Sequence, residues 1–169
     1  MGTIDVAKFP AFDAGTGISG KRLAMFLNYG TGATATNPVW AMVGGCTSNS
    51  FNLSAEASSK QTKDTGYWPI TVITSKSYEV NTDVIMLRDN EAQDAIEEFM
   101  LNDEVTSTKK LLNIALVDLD TKDYYDLKVA PTSWEITAES EEMITKSFSA
   151  TGSGAPEKKT GFVIPGEEP

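Results

Sequence analysis

The sequence predicts a mainly β fold, an antiparallel β-sandwich or barrel carrying one packed α-helix. Three observations carry that expectation. Apolar and polar residues alternate with a period of two in short segments separated by turn residues, as in Leu23, Met25 and Leu27. Only one stretch, about 90–101, repeats its apolar residues at helical spacing. Some seven short strands with turns at regular intervals are the pattern of a sandwich or barrel.

Residues 1–21 show little periodicity and hold Pro10 and several glycines, which reads as an arm or irregular edge segment. The strand beginning at Arg22 leads into a turn-rich connection over 30–38, and Val39 to Val43 is a short apolar strand ended by Gly44 and Gly45. In the next strand Phe51 and Leu53 alternate with Ser50, Asn52 and Ser54. Residues 55–67 carry almost no large apolar side chains and are expected to form a long polar inter-strand loop. Loops of this length without their own core are uncommon in compact domains and are usually functional or disordered. Strand character resumes over Ile70 to Val80, where Ile70, Thr71, Val72, Ile73 and Thr74 favour the pleated backbone.

The helix follows. Asn90 is placed to cap it with Gln93 three residues on, Ala92, Ile96, Phe99 and Met100 share its apolar face, and Glu97 and Glu98 are expected to face water. Further strands are expected at Leu111 to Leu119, Tyr124 to Ala130 and Ser133 to Ala138, joined by turns at Asp120 to Asp123 and at Pro131-Thr132. The inward rows of the last two are Tyr125, Leu127 and Val129, then Trp134, Ile136 and Ala138. A final strand, Ile144 to Ala150, closes the domain at 22–154, and the tail 155–169, rich in Pro, Gly and charge, is expected outside the core.

With 169 residues the chain is one domain, long enough to bury about 70% of its unfolded surface. Its 40% hydrophobic and 22% charged residues lie in the range of soluble globular domains. No apolar run approaches the roughly 20 residues that span a bilayer, and residues 1–10 lack the pattern of a secretory signal. There is no histidine, so zinc sites and Ser-His-Asp or Cys-His catalysis are excluded or nearly so. The single Cys46 cannot form an internal disulfide and reads as a small buried hydrophobe. A net charge of −10, with 14 basic residues spread along the chain, argues against a grip on nucleic acid.

The motifs that would carry chemistry fail on context. Gly15, Gly17 and Gly20 match G-x-G-x-x-G, but they do not lie between a buried strand and a helix. Ser107 with Lys110, and Lys159-Thr160-Gly161, echo serine acylating enzymes without the Ser-Asp-Asn element between them. Asp118, Asp120 and Asp123 lack the third ligand and the turn glycine of a calcium loop. Adjacent acids such as Glu141-Glu142 do not present two carboxylates to one substrate. No catalysis, no metal and no cofactor are expected.

The order of elements over Trp40 to Trp68 is more specific. A glycine-ended strand leads through a Thr/Ser run to Ser50-Phe51-Asn52, then a polar segment ends in Lys63-Asp64-Thr65-Gly66-Tyr67-Trp68. This resembles the major tail tube proteins of long-tailed bacteriophages. Gly20-Lys21-Arg22-Leu23 and Ser147-Phe148-Ser149-Ala150-Thr151-Gly152-Ser153-Gly154 are similar to that family too, so the resemblance spans 20–154. One departure is Lys76-Ser77-Tyr78, where the family pattern has a Trp between serines.

The resemblance implies a non-enzymatic virion protein, made in the host cytoplasm, whose copies form stacked hexameric rings around a DNA channel. It implies as partners the chain itself, the tape measure and tail terminator proteins, and DNA that passes without specific binding; no membrane is involved. It also implies that the 55–67 loop touches the next ring, through Glu56, Lys60, Lys63, Asp64 and Thr65. Acidic charge suits a DNA conduit, because phosphates slide past like charge. Candidate acids for the channel wall are Glu79, Asp126, Glu135 and Glu139. Two other readings stay open: the tube subunit of a related secretion or injection machine, and a monomeric carbohydrate-binding module using Trp40, Trp68 and Trp134. Core packing is the expectation for those tryptophans.

Overall fold

The computed structural model describes residues 22–64, 66–104 and 110–167. The expected arm 1–21 with its glycine motif, Thr65 and Ser107 lie outside the described residues. Among those described, the order is β1 (Leu23–Asn28), β2 (Trp40–Met42), β3 (Cys46–Lys60), β4 (Ile70–Ile85), α1 (Glu91–Leu101), β5 (Leu112–Asp118), β6 (Tyr124–Thr137), β7 (Thr145–Gly152) and β8 (Glu157–Lys159). All strand pairs are antiparallel. The sheet runs β2-β1-β5-β6-β7-β4-β3, with β8 added beside β6. This is the mainly β class that the alternation predicts, with the expected helix present as α1.

Strand β6 joins the two halves of the sheet. Tyr124 to Val129 pair with β5, and Val129 to Thr137 pair with β7. The change of partner lets both halves face one interior, where Met25, Leu27, Ile114 and Leu116 of one half meet Tyr78, Val80, Val84 and Phe148 of the other. Asn49 of β3 donates to the Leu23 carbonyl of β1 at 3.3 Å, so the outermost strand returns to the opposite half and the sheet curls toward closure. The expected turn at Pro131-Thr132 is instead a register irregularity inside one continuous strand, between Pro131 and Ser133. Proline has no N–H to donate, and a bulge is where a ladder can do without one.

Where β6 changes partners, Lys128 sits between the stretch covered by β8 and the stretch covered by β7. Its backbone groups face that gap, and the buried Tyr78 hydroxyl meets both: it donates to the Lys128 carbonyl at 2.8 Å and accepts from the Lys128 amide at 3.2 Å. Desolvation by burial raises the Tyr78 pKa. The ring lies flat against Gly152, where an added Cβ would come within 2.2 Å of it.

The helix is capped as the sequence predicts: Asn90 Oδ1 accepts from the Gln93 amide at 3.0 Å. Gln93 does more than periodicity discloses. Its buried side chain donates to the carbonyls of Gly44 at 2.8 Å and Ile85 at 3.0 Å and accepts from the Leu87 amide at 3.2 Å, stapling α1 to the β2–β3 turn and the end of β4. Gly45 makes that turn possible, with φ of +72° and a Cβ position only 2.6 Å from the Ile85 carbonyl. Glu97 does not face water freely. It pairs at 2.9 Å with Lys146, whose side chain is 2% exposed and whose ammonium lies 5.3 Å from the centre of the Trp134 ring. Met100, expected on the apolar face, is exposed, and Ala95 is buried in its place.

Three further expectations are corrected. Ile136 and Ala138 are exposed, because the inward row of β6 runs past the end of the interior. The tail is not outside the core: β8 pairs with β6, and Phe162 is buried against Phe26, Trp40 and Tyr124 at ring separations of 4.8, 5.6 and 5.1 Å. Ala24, Phe26, Ala115 and Val117 form a second apolar surface that needs a cover, and one aromatic in a polar tail supplies it. Cys46 is half-buried and donates to the Val43 carbonyl at 3.2 Å; burial pushes its pKa up to about 11, which keeps the thiol inert.

Three stability outcomes follow from this packing. Gly152→Ala is expected to cost about 2–3 kcal/mol by driving a methyl into the Tyr78 ring, and Tyr78→Phe about 1–2 kcal/mol by leaving the Lys128 amide without its acceptor, both read from urea unfolding midpoints. Glu97→Gln leaves Lys146 buried and unpaired and should cost about 2 kcal/mol near pH 7, a modest value because Glu97 keeps a third of its surface in water. Its hydrogen bond from Lys146 holds the Glu97 carboxyl below the ordinary range. That contribution is therefore complete above the usual carboxylate pKa and is lost as pH falls through the folded-state value. Thermal melts should show the gap between wild type and Glu97→Gln closing with acidification; a gap that stays constant would remove the pair from the account.

Candidate assembly surfaces

Among the described residues, two surfaces are left uncovered by the fold. The first is a ribbon made by the outer ends of β3 and β4. From Ser54↔Ser77 to Lys60↔Ile70 the strands pair with each other alone, with one bulge between Glu56 and Ala57. The ribbon extends about 20 Å beyond Tyr78 at ordinary strand rise. Residues 55–60 were expected in a loop, yet they form strand without burying either face. The Ala- and Ser-rich stretch has little strand preference of its own, and the β-branched run Ile70 to Thr74 supplies the partner, so cross-strand pairing replaces burial as the organising force. Cross-strand bonds tie the rungs, with Ser59 and Thr71 hydroxyls 2.7 Å apart and the Ser75 hydroxyl donating to the Glu56 carboxylate at 3.2 Å. At the tip the Gln61 side chain donates to the Gly66 carbonyl.

The ribbon carries apolar residues where water would otherwise be met by polar ones. Tyr67 is 96% exposed and Trp68 82%, and Ile70, Val72 and Ile73 are also exposed. A protruding apolar group of this kind marks an interaction surface. Core packing, expected for all three tryptophans, holds for Trp40 against Phe162 and for Trp134 against Phe148, but not for Trp68. Three tryptophans so dispersed line no common ligand site. Of the expected loop residues, Glu56 lies on a ribbon rung, Lys60 ends β3, and Lys63 and Asp64 are exposed in the turn.

The second surface is the outward face of β3, β4, β7 and the second half of β6. Reading across the ladder, Asn52 pairs with Glu79 and Glu79 with Thr151; Ser50 with Asn81 and Asn81 with Ser149; Ser48 with Asp83 and Asp83 with Ser147. On β6, Ser133 and Glu135 continue these rows beside Ser149 and Ser147. Neither Lys nor Arg stands among these outward positions. Asp83, missed by the sequence reading, accepts from the Ser147 hydroxyl at 2.8 Å. Its spacing of four from Glu79 on a period-two strand was the signal that places both on one face.

Of the four candidate wall acids, this face brings together Glu79 and Glu135. Asp126 is on the first half of β6, where the Lys159 ammonium meets it at 2.7 Å, and this hydrogen bond raises the Lys159 pKa. Glu139 is exposed in the connection after β6. Among the described residues no group of three Cys, Asp or Glu side chains is placed to hold a metal.

Solved structures of other proteins share the fold. No curated protein matches the sequence. The tail of an empty gene transfer agent particle, refined with C6 symmetry, is similar in structure with a TM-score of 0.66, 12% identity, and 85% of this chain and 100% of the other covered. The SPP1 tail tube gives a TM-score of 0.66 at 16% identity, covering 87% and 81%. The sheath–tube complex of PVC, an extracellular contractile injection system, gives 0.54 at 12% identity, covering 94% and 99%. At such identities these likenesses establish the fold. The sequence profile described as phage tail tube protein matches residues 19–158, most of the molecule, and the chain belongs to that family.

Proposed function

We propose that this tube subunit closes into hexameric rings whose channel wall is the outward face of β3, β4, β7 and β6, and that DNA passes along it without being bound. The observation that carries the reading is the composition of that face: Ser, Thr and Asn with Glu79, Asp83 and Glu135, and no cation. Hydroxyl and amide groups keep such a wall wet, while carboxylates repel phosphate and leave it mobile. The six-fold order is supported by the C6 symmetry of the similar gene transfer agent tail. Six copies carry six times −10, or −60 formal charges per ring, which is tolerable where water and counterions reach them.

The free edges of this four-stranded face, β3 on one side and residues 133–137 of β6 on the other, pair with neighbours in the ring and remove the liability of open strands. The ribbon, through Glu56, Lys60, Lys63, Asp64 and Thr65 with Tyr67 and Trp68, reaches the adjacent ring. The tape measure and tail terminator proteins are the further partners. The protein acts by assembly, not catalysis, in the virion tail. The likeness to the sheath–tube complex of an extracellular contractile injection system supports a second reading, the tube subunit of a related injection machine.

Two measurements test this. Replacing the ribbon beyond Leu53↔Tyr78 with a short Gly-Ser link should leave the fold intact by circular dichroism yet stop tube growth under negative stain; normal tubes would remove the ribbon from the contact. Lysines at Glu79, Asp83 and Glu135 should permit assembly but slow genome ejection at least about tenfold, because a cationic wall retains phosphate. Unchanged ejection, or tight DNA binding by the wild type, would overturn the channel assignment.

A further inference from the structure

The ribbon tip and the β6–β7 connection lie at opposite ends of one long strand. β4 begins at Ile70 beside the tip and ends at Ile85, which pairs with Thr145 as β7 leaves that connection. Sixteen residues of strand separate them by about 50 Å.

The two ends differ in charge and match in apolar character. Residues 55–76 carry Lys60, Lys63 and Lys76 against Glu56 and Asp64, a net of +1, which leaves −11 on the rest of a −10 chain. The tip carries Lys60, Lys63, Tyr67 and Trp68, all exposed. Residues 138–144 carry exposed Glu139, Glu141 and Glu142, none ion-paired among the described residues. Beside them Met143 is 72% exposed and Ile136 51%, and the Met86 amide donates to the Ile144 carbonyl, which sets exposed Met86 in the same patch. Nearby Arg88 and Asp89 cancel formally.

We infer that residues 138–144, with Ile136 and Met86, are the receptor for the ribbon tip of a second copy of this chain. A basic aromatic knob at one end of a strand and an acidic apolar patch at the other make a heterologous contact, which repeats head to tail and extends a stack instead of closing a pair. Tyr67 and Trp68 lie on Met143 and Ile136 as the buried centre, and Lys60 and Lys63 meet the glutamates at the rim. The inference rests on the reading of the ribbon as the inter-ring contact, and it gives Glu139 a part at the stacking surface instead of the channel wall.

The test is charge reversal in full-length protein, with elongation followed by light scattering and negative stain. Glu139→Lys with Glu141→Lys and Glu142→Lys should slow elongation at least about tenfold, Lys60→Glu with Lys63→Glu should do the same, and a chain carrying all five should recover most of the rate. Wild-type elongation should slow as salt is raised. In a Lys63→Cys, Ser140→Cys chain, oxidation should give a ladder of covalent multimers, since the two positions are too far apart within one copy. Normal growth of the triple lysine variant, or no recovery in the combined chain, overturns the pairing. If the ribbon replacement stops growth while the triple variant grows normally, this receptor falls and the ribbon contact stands; if the ribbon replacement grows normal tubes, the contact itself falls.

Discussion

One backbone residue sets the condition that the curled sheet must meet. Lys128 lies where β6 exchanges one set of neighbours for another, and its N–H and C=O face a gap that no strand fills. Leaving either group buried and unmade costs about 1–3 kcal/mol. The Tyr78 hydroxyl, able both to donate and to accept, meets them together, and the Ser153 amide adds a second bond to the carbonyl at 2.8 Å. From this follow the burial of Tyr78, the absence of a side chain at Gly152, and the approach of β4 to β6 that lets two half-sheets share one core. Phe51 completes the cluster, its ring centre 5.7 Å from Tyr78 and 5.2 Å from Tyr125.

The outside of the sheet divides by what covers it. Over β1 and β5 the outward residues are apolar, and the Phe162 segment seals them. Over β3, β4, β7 and the end of β6 they are hydroxyls, amides and carboxylates, which are stable in water and require no cover. The chain thus uses its tail on the half that cannot face solvent and leaves the half that can. On the proposed channel assignment this asymmetry is what the subunit needs, since a wall lining an aqueous channel must stay hydrated while the remainder packs against protein.

The ribbon obeys a different balance. A two-stranded hairpin is marginal in water when it buries nothing, and this one grows from a buried root at Tyr78 and Val80 toward an exposed tip. Cross-strand hydroxyl and carboxylate bonds hold the register, while Tyr67, Trp68 and Ile73 gain only when another surface removes them from water.

Much of the fold was legible in the chain, because period-two alternation reports directly which face of a strand is buried: Leu127 and Val129, Tyr78 and Val80, and the Asn90 cap with Gln93 all stand where the pattern places them. The reading failed wherever structure is held by something other than burial of a periodic face. Residues 55–60 make strand on cross-strand pairing without burial, Phe162 anchors a tail by one ring, and Glu97 meets Lys146 across 49 residues. The same limit applies to the surfaces. Composition alone established an acidic chain without histidine, but whether Asp83 stands beside Glu79 on an open face while Asp126 is neutralised by Lys159 depends on which strands become neighbours. Local alternation assigns a side chain to one of two faces, and only the tertiary pairing decides what lies on the other side of it.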